Sequence, residues 1–181
     1  MSKRLLISMM AMLVAIGVSC YSLTTSLQRN ATCGWIALPA AGSGMPPVAP
    51  AQIKGSAFSL KVADNEQTRH AGLGGVAEIP ADGGMIFVYP EDDQRRFWME
   101  GCLTDMDIAF IDGRGLVVNL CTMLKESPRQ PGEGDQEYHN RLHVYDSRGL
   151  ARYAVEVKAG TWSRLGLNIG DRLEIRQAPA K

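Results

Sequence analysis

The sequence predicts a mainly β domain, a small barrel or sandwich with one or two short helices, behind an N-terminal signal or anchor and a disordered linker. Three observations carry the prediction. Short apolar runs of period two recur from Ala57 onward, a hairpin signature lies around Asp112–Gly115, and glycine pairs and Gly-Asp steps punctuate the runs.

Along the chain, Lys3 and Arg4 precede an apolar run from Leu5 to Val18, the charged and hydrophobic regions of an export signal. The run is shorter than the roughly 20 residues that span a bilayer, so signal peptide and marginal membrane anchor both stand for residues 1–20. Ser19-Cys20 resembles the end of a lipoprotein signal, which makes Cys20 a lipidation candidate; the alternative is an unmodified cysteine at the membrane interface. Either way the remainder is expected in an oxidising compartment outside the cytoplasm, in the cell envelope, with the membrane as a partner through the N-terminus. Residues 21–56 are rich in Ala, Pro and Gly and read as a tether that packs on nothing.

The domain is expected over residues 57–176, followed by a tail at 177–181. Phe58, Leu60 and Val62 alternate with Ser59 and Lys61, as a half-buried strand requires. Asp64 with Gln67 forms a capping-box arrangement for a short helix that ends near Gly72 and Gly74. Gly83-Gly84 precedes a strand from Met85 to Tyr89, apolar on both faces and therefore central. Met106–Ile111 and Leu116–Met123 flank Asp112-Gly113-Arg114-Gly115 as a β-hairpin. The polar segment from Lys125 to Asn140 reads as an insertion loop. Tyr153, Val155 and Val157 alternate again, Thr161 can cap one helical turn ending at Gly166, and Leu173–Arg176 makes the last strand.

The blocks Gly84–Pro90, Phe97-Trp98-Met99 and Asp107–Asp112 resemble, in order and spacing, the bacterial and archaeal family called domain of unknown function 192. Arg69 with Gly72-Leu73 upstream, and Ala159-Gly160, Gly166-Leu167 and Gly170-Asp171 downstream, extend the resemblance from Phe58 to Ile175. It implies a compact β domain behind a signal or anchor, and no established activity. Trp98, Met99, Asp107 and Asp112 match the family pattern. Glu100 and Gly101 stand where members usually carry a basic residue and Asn, and Gly74 where they carry Met, so a site built on that basic residue or Asn does not transfer.

Composition narrows the function classes. Lys and Arg number 19 and Asp and Glu 19 in 181 residues, so no net field draws the protein onto phosphate, and nucleic acid is excluded as an expected partner. Glu100, Asp105 and Asp107 lie close in sequence and are the candidate catalytic carboxylates, since paired carboxylates serve glycoside hydrolysis. The competing reading has Asp107 accepting backbone hydrogen bonds and Asp112 forming a turn. Trp98, Met99 and Asp107 are the candidate binding residues. Strand alternation sends Trp98 to the face opposite Phe97 and Met99, so a core made of those two leaves Trp98 outside for recognition. Met, Cys and His residues near the hairpin have no metal-motif spacing, and neither a metal nor another cofactor is expected.

The sequence therefore points to a membrane-tethered binding or accessory module for a small-molecule, glycan or protein ligand. The alternatives are a carboxylate-dependent hydrolase or lyase acting on envelope polysaccharide, and an envelope assembly factor. Cys102 and Cys121 are expected as two thiols, because a hairpin with Ile111 opposite Leu116 sets Cys121 against Met106 and leaves Cys102 beyond disulfide reach.

Overall fold

The computed structural model describes residues 32–39 and 47–177; residues 1–31, where the expected signal or anchor and Cys20 fall, residues 40–46 and the last four residues lie outside it. Eight strands form one sheet in the order β6-β5-β7-β4-β3-β2-β1-β8. They are β1 (Thr32–Leu38), β2 (Val48–Ile53), β3 (Ser56–Ala63), β4 (Gly83–Phe97), β5 (Met106–Ile111), β6 (Val117–Met123), β7 (Tyr145–Lys158) and β8 (Arg172–Gln177). The pairs β3–β4 and β1–β8 are parallel and the others antiparallel. Among the described residues three short helices interrupt them: α1 (Glu66–Ala71), α2 (Asp135–Arg141) and α3 (Thr161–Leu165). Among the described residues no helix is long and apolar enough to cross a membrane.

The sheet curls until its two edges meet at one end. Val117 N–H donates to Asp171 O at 2.9 Å, Gly170 N–H to Val117 O at 2.8 Å and Leu173 N–H to Gly115 O at 2.8 Å. Gly115 is required there: its φ is +84°, and a Cβ would collide with the Leu173 carbonyl. The result is a partly closed barrel, within the class the sequence predicts.

Curling divides the apolar residues into two compartments. The inner one gathers Ile36, Ala51, Leu60, Ile86, Ala109, Val155 and Val157, and α3 plugs its end with Trp162, whose ring tilts against Phe58 at 6.4 Å. The outer one gathers Met85, Phe87, Ile108, Phe110 and Ala154 beneath α1 and the chain that follows β4. Strands β4, β5 and β7 serve both, so their side chains are buried alternately inward and outward.

Several expectations are corrected. Residues 21–56 are not all tether, since β1 and β2 lie within them and bury Ile36, Leu38, Ala49, Ala51 and Ile53. Composition hid β2, because its inward positions are largely alanine and it contains Pro50. That proline is tolerated because pairing of β2 with β1 stops at Ala51, so no partner needs its missing N–H on that side. The α1 cap is Asn65 with Thr68 rather than Asp64 with Gln67. The insertion loop contains α2. A bulge between Phe110 and Ile111 pairs Ile111 with Val117 and Cys121 with Ile108 rather than with Met106. Cys102 and Cys121 are free and half-buried.

A chain beginning at Thr32 should melt cooperatively, whereas one beginning at Ala57 removes two strands that cover β3 and β8 and should give no cooperative transition. Circular dichroism melts of the two truncations check this; a cooperative melt of the shorter one would place β1 and β2 outside the folding unit.

Candidate functional site

The outer compartment is not filled completely. Strand β4 sends Phe87 and Tyr89 outward, β7 sends Glu156, α1 lies across them, and the turn Trp98–Cys102 closes one side, leaving a cavity of about 310 Å³.

Local sequence fixes each wall. Asn65 Oδ1 accepts from Thr68 N–H at 3.0 Å, and Thr68 Oγ1 accepts from Asn65 N–H at 3.3 Å, so both ends of the cap are satisfied. Gly72, at φ +50°, ends the helix. Arg69 then ties α1 to β4, donating to Val88 O at 3.0 Å with its guanidinium 4.9 Å from the Tyr89 ring centroid. The same ring carries Arg95 at 3.9 Å. Phe87 and Phe97 meet edge to face at 4.9 Å.

Glu156 is the unusual group. It lies across from Met85 on β4 and from Ile108 on β5, both buried, and is itself 5% exposed. Among the described residues no hydrogen-bond donor reaches its carboxyl, and burial alone pushes its pKa up to about 8. It therefore holds its proton through neutral pH and can donate or accept a hydrogen bond within the cavity wall. Burial, then the proximity of Glu156 and Glu100, pushes the neighbouring Cys102 thiol up to about 11, so it is not a ready nucleophile.

The rim is a polar relay. Trp98, 45% exposed, donates from Nε1 to Glu100 Oε2 at 3.3 Å, and Glu100 Oε1 lies 3.1 Å from His139 Nε2 on α2. Gly101 N–H donates to the Tyr138 hydroxyl at 3.3 Å. The insertion loop is held in this position by Arg141, whose Nε and Nη2 bond the two oxygens of Glu133 at 2.6 and 3.0 Å. Those bonds, followed by one from Gln130 N–H, bring the Glu133 carboxyl down to about 2.

The structure separates the three candidate catalytic carboxylates. Glu100 lines the cavity, Asp105 accepts from Lys125 N–H at 2.7 Å, and Asp107 faces the inner compartment. Asp107, 2% exposed, accepts from Thr122 Oγ1 at 2.7 Å and from Trp162 N–H at 2.9 Å, which anchors the first turn of α3. Asp112 closes its turn by accepting from the N–H groups of Arg114 and Leu116, each at 2.9 Å. Of the candidate binding residues only Trp98 lines the cavity, while Met99, 1% exposed, packs in the outer core. Among the described residues no three His, Cys, Asp or Glu side chains converge as a metal site would need.

Sequence reasoning missed Glu156, because Tyr153, Val155 and Val157 make the intervening positions look solvent-facing. The available signal was that β7 must have apolar neighbours on both sides.

A family model, DUF192, described as Uncharacterized ACR, matches residues 49–175, which hold every cavity residue and leave β1 outside. Among solved structures the chain is similar to a protein of Sinorhizobium meliloti 1021 described as a candidate transcription regulator, with 26% identity and TM-score 0.53, over 65% of this chain and 81% of that one. It is also similar in fold to a protein of unknown function from Novosphingobium aromaticivorans DSM 12444, with 20% identity and TM-score 0.56, over 80% of this chain and 94% of that one. No curated protein matches.

Glu156 makes stability depend on pH in a defined direction. The unfolded chain loses this proton near 4.5 and the folded one near 8, so the contribution is complete below pH 4.5 and is lost as pH rises toward 8. Unfolding free energies from urea titrations at pH 5, 6, 7 and 8 should fall faster for the wild type than for Glu156→Gln, by up to about 1.4 kcal/mol per pH unit. Parallel profiles for the two proteins would show that the carboxyl titrates at its ordinary value.

Proposed function

We propose, from the premise that this chain belongs to the DUF192 family, that it is a small-molecule-binding module of the cell envelope, held outside the cytoplasm by its N-terminus. The observation that carries the binding half is the cavity, with aromatic walls, one buried carboxyl of unused hydrogen-bonding capacity and Trp98 at its mouth. Ligand sites are typically concave and largely apolar with few polar groups, and about 310 Å³ falls at the small end of their range. A small molecule fits that space better than a protein surface does. The envelope half is supported by Lys3, Arg4 and the apolar run to Val18, with Cys20 as the lipidation candidate.

A carboxylate-dependent hydrolase or lyase acting on envelope polysaccharide is the second reading. It is favoured by Glu100 and Glu156 lining the same cavity in unlike surroundings, an arrangement that can separate an acid from a base. Binding is preferred because both Glu100 oxygens already engage Trp98 and His139. The description of the Sinorhizobium relative would bring DNA as a partner, but a net charge of 0 supplies no field for phosphate.

Thermal melts against a panel of small metabolites and envelope sugars test this reading. At least one compound should raise the wild-type Tm, and Trp98→Ala should abolish that rise while costing less than about 1 kcal/mol of stability, as a half-exposed side chain does. A cost of about 3 kcal/mol or more would make Trp98 a core residue. Polysaccharide turnover that disappears in Glu156→Gln would favour the hydrolase.

A further inference from the structure

We infer that the cavity takes an organic ammonium ion whose charged nitrogen is met by the carboxylate of Glu156, an inference that rests on the binding reading above. The polar groups of the wall differ in what they have left to offer. Arg69 is committed to Val88 O and the Tyr89 ring, and Glu100 to Trp98 and His139. Glu156 alone combines burial with a carboxyl that no described donor reaches. A buried acceptor without a donor costs free energy that an incoming N–H group would recover, and a charged donor recovers most. An anionic group placed against the same carboxyl would be repelled in a poorly solvated space. The apolar faces of Phe87 and Phe97 beside it suit the hydrocarbon part of such a ligand.

Binding must then move a proton. At neutral pH Glu156 is protonated, so docking of an ammonium ion ionises it: the carboxyl O–H bond breaks, the proton leaves to solvent, and the bound pair is ammonium with carboxylate. The titratable and charged groups that line the cavity with it are Glu66, Arg69 and His70 from α1, Tyr89 and Arg96 from β4, and Glu100 and Cys102 from the turn that follows. Tyr89 and Cys102 are held above their ordinary values, burial being the largest cause for each, and so remain neutral through the range in which Glu156 titrates.

The test uses the full chain in mild detergent and three fluorinated probes of one shape, 4-fluorobenzylammonium, 4-fluorobenzyl alcohol and 4-fluorophenylacetate, followed by ¹⁹F NMR titration. The ammonium probe should bind at least tenfold more tightly than the alcohol at pH 8, and its affinity should rise roughly tenfold per unit from pH 6 toward 8, as release of one proton requires. The alcohol should show no such slope. Glu156→Gln should remove both the slope and the preference while still binding the alcohol; the wild-type slope stands as an independent readout if that variant does not fold. Alcohol or acetate binding as tightly as the ammonium, or a preference that survives in Glu156→Gln, would overturn the inference and leave cavity binding intact. Absence of binding by all three probes would overturn the binding reading together with it.

Discussion

From Tyr153 to Val157 strand β7 is buried on both faces, and period-two alternation therefore commits each of these side chains to one of two apolar compartments. Tyr153, Val155 and Val157 go inward to the barrel, Ala154 and Glu156 outward. Because β4 pairs along one edge of β7 and β5 along the other, the same row carries Met85, Glu156 and Ile108 side by side. Moving Glu156 to water would require a one-residue register slip that would also turn the three inward residues out of the barrel. Gly84 adds to the constraint, since a Cβ there would run into the Glu156 carbonyl, and only glycine lets the two strands approach so closely.

The buried carboxyl thus has a structural cause and a stability cost, to which the proposed binding role gives a use. A leucine of similar size in the same row would pack without a desolvation penalty. Under the proposed binding role, an arriving ligand satisfies the ionisable group kept there. The rim adds a second layer, because Glu100 joins the β4 turn to α2 through His139, and the Arg141–Glu133 bonds hold the loop that carries α2. That segment buries Tyr138 and Leu142 and meets the cavity wall through Glu100.

Much of the fold was legible in the residues. Alternation marked β3 and the end of β7, a continuous apolar run marked the first part of β4, and the Asp112–Gly115 turn marked the hairpin, because in each case one local rule dominates. What failed were elements whose identity depends on partners. Strand β2 is built from Ala and Pro and becomes a strand only because β3 pairs along all of it. The hairpin register depends on a bulge at Phe110 that no local residue announces. At the site, Trp98 and Glu100 were visible through their position after β4, whereas Glu156 looked like a solvent-facing residue between valines until both neighbours of β7 were known. Asp107 follows the backbone-bonding reading the sequence offered beside the catalytic one: it accepts from Thr122 and from the first turn of α3, a partner far along the chain that the sequence did not indicate.

The chemistry of the cavity turns on the state of one carboxyl, and direct titration of Glu156 reads it most plainly. The δ-carbon resonance of that glutamate, assigned by its loss in Glu156→Gln and followed by ¹³C NMR from pH 4 to 10, should show a midpoint near 8. A midpoint near 4.5, the ordinary value for a glutamate, would mean that water or an unseen donor already satisfies the group and would contradict the account.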